Sequence, residues 1–317
     1  MSYLHYIGID VSKEWFDIAI FSDISKSKRF NNDSDGFVDF AKHCQQELAH
    51  SLVVLEATGG YENALIAFLI ANKIAVHRAD PLTAKHFIKS LRLRGKTDKL
   101  DAVALARYGA ERHETLPECK LKVASQEELE VLLARRADLF AMRVAEQARL
   151  QHPRYKLTQK SVKTILNALI NEIEDIEKSI EKIIAESAEL SKKLKIMTSV
   201  KGVGKQTAYS LLAMMPELGE LTRRQAASLA GCAPHPKDSG KTNGYRRTSG
   251  GREIVKRSLF MAAMAARNFH PELKLFYQKL RENGKKPMVA LVAIMRKLIT
   301  IINAKLRDEF FANLQKT

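Results

Sequence analysis

Tyr3-Leu-His-Tyr-Ile-Gly-Ile-Asp10-Val-Ser-Lys-Glu-Trp15-Phe-Asp-Ile-Ala-Ile-Phe21 is the stretch on which the fold turns. Residues 3–9 read as a strand ending at Asp10, and residues 15–21 as a second strand. The short link between them predicts a hairpin. Outward from it, Ser34-Asp35-Gly36 opens a helix through about Leu48, and Ser51 to Leu55 reads as a buried strand ending at Glu56. Gly59-Gly60 breaks the chain, Tyr61 to Ala71 reads as helix, and Ile74 to Val76 is another short strand. Pro81 starts a helix, as proline at a first-turn position does, and a further helix begins near Thr97 or Asp98 and runs to Ala110. A hairpin followed by alternating strands and helices predicts an α/β domain with a mixed sheet.

The middle of the chain changes character. Residues 126–195 hold almost no glycine or proline apart from Pro153. Leu166, Leu169, Ile173, Ile176, Ile180, Ile183, Ser187, Leu190 and Leu194 alternate spacings of three and four, which predicts a coiled-coil or helical-hairpin arm. A third region begins near Met197. It contains Val200-Lys-Gly202-Val-Gly204, an apolar segment from Ala208 to Met215, a glycine-rich basic loop from Gly231 to Arg252, and a helical tail. The expected division is 1–122, 123–196 and 197–317, the last mostly α-helical.

Lys plus Arg number 52 against 36 Asp plus Glu, a formal charge of +16 that favours a polyanionic partner. Cys44, Cys119 and Cys232 are far apart and odd in number, which argues against a disulfide framework and fits a reducing compartment. The N-terminus has no basic segment followed by an apolar one. The longest apolar stretches, such as Met288 to Met295, are too short to span a bilayer. A cytoplasmic protein without a membrane partner is expected.

Three constellations can carry chemistry. Asp10 and Glu56 end strands, and Asp98 and Asp101 share one face of a helix. Gathered in one cleft, four carboxylates repel one another unless a cation fills it, and hard oxygen ligands favour Mg2+ or Mn2+. The second is the turn at Gly202 and Gly204, which has the form of a helix-hairpin-helix whose backbone N–H groups approach a DNA phosphate. A glycine helix cap gives the same pattern. The third is the loop with Lys237, Lys241, Arg246, Arg247 and Arg252, where Ser239 lies between Asp238 and Gly240. A serine there can attack phosphorus with cations nearby, although serine in such a loop is more often a turn residue. His235 is a proton-transfer candidate by residue type, although a lone histidine more often packs or caps, and no sequence feature fixes its role.

With these residues in hand, the chain resembles the insertion-sequence transposases of family one-ten, which include the Piv DNA invertase. The resemblance rests on Tyr-Ile-Gly-Ile-Asp10-Val-Ser-Lys, Leu-Glu56-Ala-Thr-Gly-Gly-Tyr and Lys96-Thr-Asp98-Lys-Leu-Asp101-Ala. It continues through Gly202-Val-Gly204, Leu229-Ala-Gly-Cys-Ala-Pro234 and Ser239-Gly240. It implies a ribonuclease-H-like, RuvC-type N-terminal domain whose Asp-Glu-Asp-Asp tetrad, Asp10, Glu56, Asp98 and Asp101, holds divalent metal. It implies a serine nucleophile at Ser239 that forms a covalent link to DNA, with the two elements supplied by different protomers. Ser249 before Gly250 has the same local form, so the assignment is not unique. Asp238 departs from the small or polar residue usual in the pattern. Donor and target duplex DNA, an element-encoded guide RNA and a homodimer or homotetramer are the implied partners. Transposition and inversion both remain open, as do a nuclease or junction resolvase using water at the tetrad and a non-enzymatic nucleic-acid-binding protein.

Overall fold

The computed structural model describes residues 3–91, 97–119, 124–236, 244 and 246–314, and divides into two compact units, Met1–Lys122 and Val123–Thr317. In the first, β1 (His5–Val11), β2 (Trp15–Ile20) and β3 (Asp23–Asn31) precede α1 (Ser34–His43) and α2 (Gln45–Leu48). Then follow β4 (Ser51–Glu56), α3 (Asn63–Ala71), β5 (Ala75–Ala79), α4 (Pro81–Ser90) and α5 (Asp98–Arg112). The sheet order is β3-β2-β1-β4-β5, antiparallel along β1–β2–β3 and parallel along β1–β4–β5. This is the expected mixed α/β sheet.

Strand alternation sorts the side chains onto two faces. Ile7, Ile9, Phe16, Ile18, Val53 and Leu55 form one buried cluster with residues of α1, α2 and α3. Leu52 and Val54 belong to another, with Ala84 of α4 and Leu105 and Tyr108 of α5. The even-numbered positions of β1 and β4 therefore face α5. Gly8 is on that face, and a Cβ there would lie 2.0 Å from the Ala102 carbonyl oxygen and 2.2 Å from the Ala106 nitrogen. Only glycine lets α5 rest directly on the central strand.

The sequence reading missed β3 altogether. Its run, Asp-Ile-Ser-Lys-Ser-Lys-Arg-Phe-Asn, carries one buried apolar residue, Phe30, because an edge strand needs little apolar surface. It also merged α1 and α2, which separate at Cys44.

In the second unit α6 (Ala124–Gln151) turns through the 3-10 segment Pro153–Thr158 into α7 (Gln159–Glu186). The two pack along each other as a helical hairpin, pinned by Arg136 Nε donating to Glu177 at 2.7 Å. All nine heptad positions are buried or half-buried. They do not form one helix, however. Ser187 leaves helical geometry (φ −107°, ψ 113°) and caps α8 (Ala188–Thr198) by accepting from the Leu190 N–H. The hydroxyl in the seam marks a break.

Then come α9 (Lys205–Met214), α10 (Arg223–Leu229), a two-residue ribbon of β6 (Pro234–His235) and β7 (Arg247–Thr248), α11 (Glu253–Phe269), α12 (Pro271–Glu282) and α13 (Pro287–Leu314). One core joins Leu129, Leu133, Ile180 and Ile184 of the hairpin to α9, α11 and α13. Residues Pro287–Glu309 of α13 are long and apolar enough to cross a bilayer, which a search for continuous apolar runs overlooked. Here Ile294, Leu298, Ile299 and Ile302 are fully buried in the protein core. The buried Asn303 accepts from the Gly219 N–H at 2.9 Å and donates to the Leu221 carbonyl at 2.7 Å.

Candidate active site

Register builds the first site. In β1–β2 Asp10 stands directly opposite Asp17, and in β2–β3 Asp17 stands directly opposite Arg29. In β1–β4 the last pair is Ile9 with Leu55, so the next residues on each strand are Asp10 and Glu56. Directly opposed residues share a face. Arg29, Asp17, Asp10 and Glu56 thus form one cross-strand row on the face that carries α5. Gly8 seats α5 through Ala102 and Ala106, and the preceding turn carries Asp98 and Asp101, where Thr97 caps the helix by accepting from the Leu100 N–H.

The electrostatics report the convergence. The Asp10 carboxyl is pushed up to about 7, first by burial and then by the charges of Asp101, Asp98, Glu56 and Asp17. Three of the sequence-predicted acids therefore act on the fourth, Asp10. Their donor chemistry, all carboxylate around an acid that cannot easily ionise, fits a hard divalent cation. Among the described residues, no three acidic, histidine or cysteine side chains converge tightly enough to ligate one ion as they stand.

Arg29 engages one of these acids, Asp98, together with Asp17. Its guanidinium donates to Asp17 at 2.7, 3.0 and 3.2 Å, lies 4.9 Å over the Trp15 ring, and donates to Asp98 Oδ2 at 2.9 Å. Asp98 thus points at an arginine already anchored to β2. Sequence reasoning missed both Asp17 and Arg29. The signal was the register of a hairpin whose third strand went unrecognised.

A buried anchor shapes the turn after Glu56. Glu62 is fully buried, and its Oε2 accepts from Thr58 N at 3.1 Å, Thr58 Oγ1 at 3.0 Å and Gly60 N at 2.9 Å, while Oε1 takes Arg78. Burial works to raise its carboxyl, but those hydrogen bonds and Arg78 prevail and hold it below the usual range. Asn32 then joins two ends of the site by donating to the Ser12 carbonyl at 2.9 Å and the Tyr61 carbonyl at 3.0 Å.

In the second unit the serine loop is fixed at its base. A Cβ on Gly231 would lie 2.4 Å from the Gly250 oxygen, and one on Gly251 would lie 2.2 Å from the Gly231 nitrogen. Both glycines have positive φ, so the backbones cross where no side chain fits. Ser239, Lys237, Lys241 and Gly240 lie outside the described residues. Ser249 is exposed, as are His235, Arg246 and Arg247. Arg252 is engaged at the loop base, 2.7 Å from Glu217 and against the Met214 carbonyl. Gly202 turns the chain between α8 and α9, and its missing side chain is required by Ala266 of α11, 2.7 Å from where a Cβ would sit. Gly204 precedes α9 in open space.

Residues 7–153 match a DEDD transposase family, and residues 194–278 match the transposase IS116/IS110/IS902 family. The chain belongs to the IS110 transposase family. The first match spans all four acids of the tetrad, and the second spans the serine loop. Two relatives extend over nearly the whole chain. The pilin gene-inverting proteins of Moraxella lacunata and Moraxella bovis are each 29% identical over 313 residues, covering 96% of both chains. An uncharacterized insertion element IS110 protein of Streptomyces coelicolor is 36% identical over 118 residues, 37% of this chain and 29% of its own.

Proposed function

We propose that the chain is a metal-dependent DNA recombinase that cuts and rejoins strands through a covalent serine–DNA intermediate. The observation that supports its metal-dependent part is geometric. Register sets Asp10 and Glu56 at adjoining strand ends on the face where Gly8 seats the helix bearing Asp98 and Asp101, and burial and these acids with Asp17 raise the Asp10 carboxyl to about 7. The serine part rests on the family resemblance. In this reading residues 1–122 are a ribonuclease-H-like, RuvC-type domain, 123–196 a coiled-coil arm that joins protomers, and 197–317 the DNA-binding serine domain. Asp10, Glu56, Asp98 and Asp101 hold Mg2+ or Mn2+. A bound ion would polarise the phosphate and stabilise charge on the attacking and leaving oxygens.

The chain's own residues do the rest. The Ser239 hydroxyl oxygen bonds to phosphorus and gives its proton to solvent. The P–O bond to one deoxyribose breaks, and that oxygen leaves and takes up a proton. Rejoining is the same exchange in reverse, with a hydroxyl of the new strand displacing serine, so no outside energy source is needed. Lys237, Lys241, Arg246 and Arg247 offset charge on the phosphate, and the backbone at Gly202 and Gly204 adds a further phosphate contact. Arg252 contributes by holding the loop base. Arg29 neutralises Asp98 in the free chain, a carboxylate that would otherwise be available to the ion. A homodimer or homotetramer, donor and target DNA, an element-encoded guide RNA and a cytoplasmic, nucleoid-associated location complete the reading. The pilin gene-inverting relatives support inversion beside transposition as the outcome.

The test is a denaturing gel of the full chain with the element-encoded RNA, recombination-site DNA and Mg2+. Wild type should give a covalent protein–DNA adduct, and Ser239→Ala should give none while still binding DNA. Loss with Ser249→Ala alone would move the nucleophile to Ser249. Free DNA ends without any adduct would leave water at the acidic tetrad as the mechanism.

A further inference from the structure

A cavity of about 470 Å3 opens in the second unit between the β6–β7 ribbon and the first turns of α13. Cys232, Met288 and Val292 are among the apolar side chains that line it, and Arg246, Arg247 and Arg296 are its charged ones. Arg296 lies four residues after Val292 on α13, so one helix face supplies both an apolar wall and a cation. Met288 is 58% exposed, a large flexible apolar side chain left at the surface. The basic charge reaches the cavity wall. Burial pushes the Cys232 thiol up to about 11, against an opposing pull from Lys256 and Arg296.

The two features together select a ligand class. An apolar side chain from a partner would fill the walls but give three guanidinium groups nothing to bind. A duplex backbone would satisfy the arginines at the surface but leave an apolar hollow of this size unfilled. A nucleotide turned out of the stack satisfies both, with its base against apolar walls or a guanidinium plane and its phosphate on arginine. The ribbon strands also bracket, in sequence, the segment that carries Ser239.

We propose that this cavity receives one unstacked nucleotide of the DNA, its base seated on Met288 and Val292 and its phosphate held by Arg247 and Arg296. Turning one nucleotide out of the stack would expose the adjoining phosphodiester and fix the register of the DNA on this unit. The proposal rests on the DNA-recombinase reading above and deepens it.

The full chain is titrated, with the element-encoded RNA and again without it, with a duplex carrying a single-nucleotide bulge of 2-aminopurine, and with the same duplex fully paired. Wild type should bind the bulged duplex about tenfold more tightly and change the probe's fluorescence, because the unstacking cost is already met. Val292→Trp, which fills the cavity, and Met288→Glu, at a side chain exposed enough to leave the fold intact, should each remove that preference. Both should bind the paired duplex as wild type does. Equal wild-type affinity for the two duplexes overturns the proposal, as does a preference that survives both substitutions. A change of oligomeric state in Met288→Glu with the preference intact overturns it in favour of a second copy as occupant. Failure of wild type to bind even the paired duplex would refute the recombinase reading itself, and the cavity assignment with it.

Discussion

Asp10, Asp17, Glu56 and Arg29 occupy one cross-strand row in the first unit, so the place of each follows from strand register. Between Gly231 and Gly251 in the second unit, the regular structure among the described residues is the two-residue strands β6 and β7, and a backbone crossing fixes the two ends. The contrast separates two ways of building a reactive group. In the proposed reading, acids that meet one ion are set by a sheet and a helix that cannot shift without disturbing a core. The proposed serine instead belongs, in sequence, to the segment that this crossing brackets, as binding residues commonly belong to loops on a fixed scaffold.

The largest effect that tests this contrast is at Asp10. Asp10→Asn should lower recombination by about a thousandfold or more, because it removes the central ligand of the row. It should not unfold the protein. A carboxyl whose folded pKa, about 7, lies above its unfolded value takes up a proton on folding. Stability from this group is therefore lost as pH rises from about 4 towards 7, and asparagine removes that penalty. Thermal melting at pH 8 should show Asp10→Asn at or above wild type, and a large fall would make the residue structural.

Gly8→Ala comes next. Its Cβ would overlap the α5 backbone, so α5 must lift from β1 and carry Asp98 and Asp101 away from Asp10. A cost of about 3 kcal/mol is expected in urea unfolding, with recombination lost in whatever protein folds. Wild-type stability in Gly8→Ala would break the claim that this contact seats the helix.

Glu62→Ala should cost about 3 kcal/mol, since Arg78 and the donors of residues 58–60 lose a buried partner. The Glu62 carboxyl is held below its ordinary range, so its contribution is present above the unfolded pKa and lost as pH falls through the folded one. The gap between wild type and Glu62→Ala should therefore narrow in acid, and a gap unchanged down to pH 3 would contradict it.

Much of the first site was legible in sequence because alternation and i,i+3 spacing are local rules. Asp10, Glu56, Asp98 and Asp101 could be read from strand ends and one helix turn. Asp17 and Arg29 could not, because their roles depend on the register of β3, an edge strand whose polar residues give almost no hydrophobic signal. The break at Ser187 was hidden for the opposite reason, since the heptad pattern continues through it. Glu62 was missed because its role depends on burial behind a turn, which no spacing records. For the serine loop, residue types alone favoured a turn, and the family resemblance supplied the nucleophile.

The smallest effect belongs to Arg29. Arg29→Met should tighten Mn2+ binding about fivefold, because Asp98 no longer has a competing cation 2.9 Å away. Lys28→Met removes the same charge one residue earlier, where the ammonium lies over Phe30, and should change affinity much less. Equal gains would reduce Arg29 to a general charge effect.

Mn2+ affinity measured from pH 6 to pH 8 in wild type and Asp10→Asn tests the acid row most directly. With Asp10 titrating near 7, protons compete with the ion below that pH. Wild-type affinity should rise by up to about tenfold per pH unit below 7 and level off above it, while Asp10→Asn binds weakly with little dependence on pH. The same affinity in both proteins across that range would contradict a metal site built on Asp10.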